Sequence, residues 1–417
     1  MRHYLVVLFV VILFATPWLA VNFPDQINDL TRSFTDVANQ IAAVVMHNPR
    51  TIAGLQSKYN VATFQGVSKI KILLVPGHEP NYGGAEFGSI KERDLTVELA
   101  NNLQQILANN SKYQVFVTRS TTAWAPEFAD YFKNSLQDII DWVKAYQQES
   151  MKLIPVNSTN GKPRVLHNSA PLDKAYRLYG ITKWANDNNI DIVIHIHLND
   201  HPGHSSNMAG KYSGFTIYIP EKNYLNSTTT QAVAKAIFQR LAKYNPVSNL
   251  LGESDGITYE PDLIAIGAKN TADAASMLIE YGYIYESQFT NPSVRDLALK
   301  DLAFQTYLGL QDFFDPSNVI GLASSYDTLV LPHEWRSPMS AKSPSSQDVF
   351  SLQTAFISDG LYPPTKMDMN DCPRTGTIGP CTKAAIEAFQ KKYGITGEKG
   401  IVGPNTLNVL NLEFGTK

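Results

Sequence analysis

The sequence predicts an α/β fold: a central mixed sheet with helices on both faces, plus a small C-terminal three-helix bundle. Three observations carry this. Short apolar runs alternate with helical periodicities between residues 70 and 314, which implies stacked layers of strands and helices. A stretch rich in Pro and Ser, without steady periodicity, follows at 315–347 and reads as a linker. Beyond it, Gly379-Pro380 and Gly403-Pro404 each open a helical pattern within residues 348–412.

At 417 residues the chain has room for more than one domain. A formal net charge of -3 gives no electrostatic reason to expect nucleic acid as a partner. The start, Met1-Arg2-His3-Tyr4, precedes an apolar run that continues through Val21. A short basic start and an apolar stretch direct export, and the run is just long enough to span a bilayer. Residues 1–21 are therefore a cleaved signal or a retained membrane anchor. Either places the remainder outside the cytoplasm, and the membrane is a partner only if the segment stays uncleaved. The two cysteines, Cys372 and Cys381, are close together. In an exported chain such a pair reads as a disulfide rather than a metal site.

Residues 22–69 read as a helical stalk. Ile27, Leu30, Phe34, Val37, Ile41 and Val44 share one helical face, and Asn48-Pro49 ends it. Ile70–Val75 is the first buried strand, stopped by Pro76-Gly77. His78 thus sits on the loop at a strand's carboxyl end, the edge where open α/β sheets bind ligands. On its own it reads as an ordinary loop histidine. Glu92-Arg93-Asp94 then opens a helix carrying Leu95, Leu99, Leu103 and Leu107. Acids at a helix start suit its dipole, which alone explains Glu92 structurally.

Tyr113–Thr118 is a second strand, ending at Arg119. Residues 120–170 read as an insertion, with one helix marked by Phe128, Phe132, Leu136, Ile139, Val143 and Tyr146. Ala175–Asn186 is a helix and Asp191–Leu198 a third strand. His195 and His197 lie on one face of that strand, with His197 level with His78. A strand histidine is ordinarily a core residue. His201 and His204 read as surface residues. Phe215–Ile219 is a fourth strand, Gln231–Tyr244 a helix, and Ser276–Ile279 a fifth strand with Glu280 at its end. A carboxylate there is costly unless paired or used. Pro292–Phe314 is the last helix before the linker. In the bundle, one helix surrounds Val349–Ile357, and another carries Ile386, Phe389 and Tyr393 and stops at Gly394. A Cys372–Cys381 bridge suits so small a unit.

His78, His197 and Glu280 thus close three strands, and Glu92 opens the helix after the first. Two imidazoles and a carboxylate make a catalytic zinc set with an open position, and a further carboxylate serves as general base. The wide spacing alone does not establish zinc.

Residues 70–314 resemble the zinc-dependent N-acetylmuramoyl-L-alanine amidases of the amidase_3 type. The resemblance rests on Val75-Pro76-Gly77-His78, Glu92–Val97, Val117-Thr118-Arg119, Ile194–Asn199 and Leu278–Tyr283, which occur in the family's order. It implies Zn2+ as cofactor, His78, Glu92 and His197 as its ligands, and Glu280 as the catalytic carboxylate. Three positions depart from the family pattern. Glu79-Pro80 replaces Gly-Gly after the first His, Val75 replaces Asp, and His195 replaces Ser. These bear on loop geometry and substrate fit.

Residues 348–412 resemble a type 1 peptidoglycan-binding domain through Leu352-Gln353, Gly376–Pro380, Thr382, Ala385, Phe389-Gln390 and Gly400–Leu407. Residues 1–69 and 315–347 fall outside both resemblances. Together they imply an extracytoplasmic cell-wall hydrolase, membrane-anchored or secreted to the wall or periplasm. Its substrate is then peptidoglycan, cut at the amide between N-acetylmuramic acid and L-alanine. Three rivals are a zinc peptidase acting on the stem peptide, a non-catalytic wall-binding protein, and ligand-like residues that merely pair with one another as a buried network. The first would use the same four groups. An intact Glu280 and both histidines argue against the second.

Overall fold

The apolar runs pair into one six-stranded sheet. The computed structural model describes residues 48–62, 69–150, 165, 167, 170–268, 271–315 and 326–416. The N-terminal segment 1–21, the periodic stretch ahead of Asn48, most of the insertion beyond residue 150 and residues 316–325 lie outside the described residues.

In chain order the elements are α1 (Ile52–Val61), β1 (Ile70–Pro76), a small hairpin of β2 (Glu86–Phe87) and β3 (Ile90–Lys91), α2 (Glu92–Ala108) and β4 (Tyr113–Val117). Then come α3 (Pro126–Asn134), α4 (Leu136–Ser150), α5 (Leu172–Asp187), β5 (Ile192–Asn199), β6 (Thr216–Pro220), α6 (Ser227–Tyr244) and β7 (Ile257–Glu260). β8 (Ala275–Tyr283), α7 (Ser287–Thr290) and α8 (Pro292–Phe314) complete the sheet region. The C-terminal helices are α9 (Gln347–Ser358), α10 (Pro380–Lys392) and α11 (Pro404–Phe414).

The strand order is β4-β1-β5-β8-β6-β7. β4, β1, β5 and β8 run parallel, β6 opposes β8, and β7 follows β6, so the sheet is mixed. Both faces are covered, which is why the strands read as near-continuous apolar runs. Ile70, Ile72 and Leu74 pack on one side with Leu95, Leu99 and Leu103 of α2, Ile237 of α6 and Leu302 of α8. Leu73, Val75 and Val193 pack on the other with Phe128 of α3 and Ile181 and Trp184 of α5.

Two elements differ from the sequence expectation. The insertion holds two helices rather than one, broken at Ser135, whose N–H still bonds the Tyr131 carbonyl at 2.9 Å. The apolar spacing runs straight across the break and so hides it. β7 carries only half-buried side chains apart from Glu260, and a strand that short gives little periodicity.

The bundle is closed by the Cys372–Cys381 disulfide. Residues 326–346 do more than connect. Leu331, Trp335 and Met339 enter the bundle's core beside Leu352, Phe356 and Phe389. Pro and Ser content marks missing regular structure, not missing packing. The bundle also docks on the sheet region's outer helices. Arg374 and Asp301 form an ion pair at 2.5 Å, with side chains 2% and 0% exposed. Thr354 accepts from Arg374 at 2.9 Å, and Thr328 donates to Asp301 at 2.8 Å. The Arg374 guanidinium lies 4.2 Å from the Phe350 ring centre and 5.2 Å from that of Tyr244. Removing one partner of such a pair strands a buried charge. Arg374→Ala is expected to lower unfolding free energy by about 3–5 kcal/mol in denaturant titration. In an Asp301→Asn background the same change costs much less. A loss under about 1 kcal/mol in the single variant would contradict the pairing.

Candidate active site

The site is built at the carboxyl edge of β1, β5 and β8. After Pro76 the Gly77 N–H still bonds the Ile196 carbonyl at 2.8 Å, so the turn stays fastened to β5. A Cβ on Gly77 would sit 2.4 Å from the His197 ring, so only glycine lets the two strands approach this closely. His78 takes φ +68, a left-handed conformation uncommon for a side-chain-bearing residue and found at functional turns. Arg119, 2% exposed, braces this turn from below. It donates to the carbonyls of Pro76 (3.2 Å), Arg93 (3.0 Å) and Gly77.

Glu92 begins α2 and is 3% exposed. Its Oε1 accepts from the Leu198 N–H at 3.1 Å and meets His197 Nδ1 at 3.0 Å. Its Oε2 accepts from the Ala85 N–H at 2.8 Å and lies 2.8 Å from His78 Nε2. Burial alone would raise this carboxyl, but the two imidazoles, by charge and hydrogen bonding, hold it well below the usual range. Burial in turn pushes the His197 imidazole down, against the pull of Glu92. One ligand-type atom from each of His78, Glu92 and His197 lies within 4.8 Å of the others. Two histidines and a carboxylate converging so closely are a donor set that fits a divalent metal.

Glu280 pairs with His197 in the β5–β8 register and with Thr216 on its other side. It is half-buried, and its Oε2 is buried with no hydrogen-bond partner. Burial, then the negative charges of Glu92 and Glu253, raise its carboxyl well above the usual range. His195 stands one inward-facing position deeper in β5, 1% exposed, with Nε2 unpartnered, and it does not join the cluster. His201 and His204 are half-buried rather than free on the surface, packed against the Tyr212 and Tyr285 rings.

Residues 72–291, more than half of the chain, match the family described as N-acetylmuramoyl-L-alanine amidase. The chain belongs to this family. The amidase also carries a match to a peptidoglycan binding domain at residues 345–410. It therefore cleaves peptidoglycan between N-acetylmuramic acid and L-alanine and acts outside the cytoplasm. No curated protein matches the amidase closely enough to be named as a relative. Among solved structures it is similar to the CwlD amidase of Clostridioides difficile, determined in complex with the GerS lipoprotein. That match has 15% identity, covers 60% of this chain and 100% of the other, and gives a TM-score of 0.39. It is also similar to the amidase Ami1 of Mycobacterium smegmatis, at 15% identity, 60% and 100% coverage and a TM-score of 0.40. A third is the catalytic domain of CwlV from Bacillus (Paenibacillus) polymyxa var. colistinus, at 15%, 60%, 99% and 0.36.

All four site residues read from the amidase's sequence converge at this edge. Sequence reasoning missed Glu253, which lies in a turn-rich polar stretch, Leu251-Gly252-Glu253-Ser254-Asp255-Gly256, that reads as solvated. No local pattern marks a polar residue as buried. His195 supplies a test of its environment. Burial, with the neighbouring His197, lowers its imidazole from 6.5 to about 3. Protonation is then favoured only in the unfolded chain. The resulting stability is complete above pH 6.5 and is lost as pH falls toward 3. Replacing His195 by Leu is expected to flatten this acid loss, measured as unfolding free energy at neutral and at acidic pH. Parallel curves for the two proteins would contradict the buried neutral imidazole.

Proposed function

We propose that the amidase is a zinc enzyme in which His78, Glu92 and His197 hold the ion and Glu280 is the general base. The observation that carries this is the convergence of the three donor atoms within 4.8 Å, beside a carboxylate oxygen that has no other partner. Bound zinc supplies Lewis-acid polarisation of the scissile carbonyl and acidification of the attacking water. Glu280 Oε2 takes the proton of that water and passes it to the leaving nitrogen of L-alanine. The negative charges of Glu92 and Glu253 add to burial in disfavouring a further charge on Glu280.

In this reading residues 70–314 are the catalytic domain and 348–412 hold the enzyme on an insoluble polymer, raising the local concentration of cleavable bonds. Of residues 22–69, expected as a stalk behind the signal or anchor at 1–21, residues 22–47 and 63–68 lie outside the described residues, and Leu55 and Tyr59 of α1 enter the sheet region's core. Among the described residues no helix is long and apolar enough to cross a membrane, and residues 1–21 lie outside them. Membrane fractionation of the full chain beside one lacking residues 1–21 tests the anchor. Retention in the membrane fraction by both would exclude it.

Glu280→Gln keeps shape and removes basicity. It is expected to retain zinc and thermal stability while hydrolysis of purified murein falls roughly a hundredfold or more. By contrast, His78→Ala, Glu92→Ala and His197→Ala each lose zinc, and His195→Ala keeps it. Zinc stoichiometry, melting temperature and release of intact stem peptides by mass spectrometry are measured on the same preparations. Loss of zinc from Glu280→Gln would make Glu280 a ligand, and undiminished hydrolysis would remove it from the mechanism.

A further inference from the structure

The catalytic reading leaves the buried carboxylate of Glu253 without a role. Glu253 has no exposed surface. Its Oε1 accepts from the Tyr218 hydroxyl at 2.6 Å and the Asn199 amide at 2.9 Å. Its Oε2 accepts from the Ser248 hydroxyl at 2.5 Å and the Tyr283 hydroxyl at 3.2 Å. Four donors saturate the carboxylate, so the cost of its burial is offset and the network is stiff.

The addresses of those donors matter more than their number. Asn199 ends β5, two residues beyond His197. Tyr283 ends β8, three residues beyond Glu280. Tyr218 lies on β6 opposite Leu278, two register positions from the Thr216–Glu280 pair. One side chain thus ties the ends of the two strands that carry His197 and Glu280 to the strand on Glu280's far side.

The register is broken at this point. His197 faces Glu280, but Asn199 faces Tyr283, so β8 spends one more residue than β5 between the two pairs. Such a bulge re-aims side chains and is common beside active sites. Gly282 sits in the extra length at φ +146, where a Cβ would meet Phe289 at 2.8 Å and Glu286 Oε1 at 2.9 Å. Glu286 Oε1 also takes the Tyr283 N–H at 2.7 Å. Tyr283 is therefore held at its backbone by Glu286 and at its hydroxyl by Glu253, while Asn199 is held by Glu253 across the bulge.

We propose that Glu253 is a positioning residue of the hydrolysis: by clamping Asn199 and Tyr283 on the far side of the bulge, and Tyr218 on β6, it fixes the Glu280 carboxylate relative to His197. The proposal rests on Glu280 as general base. A filler role in the core would not require donors from three strands to meet only at the edge that carries the chemistry.

The test is Glu253→Gln, which keeps the volume but has one acceptor oxygen for four donors. Tyr283→Phe, which deletes a single donor, is the milder companion. kcat and KM are measured on a soluble muropeptide containing the N-acetylmuramoyl-L-alanine bond, with zinc content and melting temperature on the same samples. Glu253→Gln is expected to lower kcat roughly tenfold or more, the scale of a misplaced catalytic group, with KM and zinc content near wild type. Tyr283→Phe shifts kcat the same way by less, and a crystal structure of Glu253→Gln shows the Glu280 carboxylate displaced from His197. Wild-type kcat in Glu253→Gln would overturn the proposal. So would activity that falls only in proportion to the folded or zinc-loaded fraction. If Glu253→Gln does not fold, Tyr283→Phe decides by the same criteria. Glu280→Gln is run alongside. If it stays active, the base assignment and the positioning proposal both fail. If it is inactive while Glu253→Gln is fully active, only the positioning proposal fails.

Discussion

The site depends on keeping one carboxylate out of water. Glu92 is fixed at the first turn of α2, and α2 is fixed to the sheet by Leu95, Leu99 and Leu103. The side chain therefore cannot swing out to solvent without unseating a helix. Its burial is tolerable because two backbone N–H groups and two imidazoles surround it. Those four contacts place His78 and His197, from two different strand ends, on the same pair of oxygens. The same buried charge acts on Glu280 across the low-dielectric edge and helps keep that carboxyl raised. The proposed ligand set and the charge on the proposed proton-transfer group thereby both depend on one residue. The proposed zinc ion would sit where the negative charge is already concentrated.

How much of this was legible in the sequence depended on the kind of signal. The period of two in β5 places His195 and His197 on one face, and the Pro76-Gly77 stop puts His78 at a strand end. Parallel pairing of β1 with β5 then makes His78 and His197 neighbours. Glu92 was ambiguous, because the helix dipole explains an acid at a helix start just as well. In the structure both reasons hold together, since the residue that opens α2 is also the residue that meets the imidazoles. What stayed hidden was polar burial. Arg119 and Glu253 sit in segments whose local chemistry resembles a surface loop, and only the packed fold shows that carbonyls and hydroxyls close around them. The same limit applied to Trp335 and Met339, whose Pro- and Ser-rich surroundings concealed that they belong to a core.

The C-terminal bundle and the catalytic layer share a helix. α8 packs under the sheet through Leu299, Leu302 and Leu310, and presents Asp301 to Arg374 of the bundle. A wall-binding unit on a slack tether would only raise local concentration. Here the bundle is instead locked to α8 by a buried ion pair and by Arg374 lying over the Phe350 and Tyr244 rings.

The central claim is that His78, Glu92 and His197 form a zinc site rather than a self-satisfied polar network. Anomalous diffraction collected on both sides of the zinc absorption edge, from crystals of protein purified without chelator, addresses it most directly. The account predicts one strong zinc peak bounded by His78, Glu92 and His197, with Glu280 beside it. No peak at that position, with both imidazoles still set against Glu92, would contradict it.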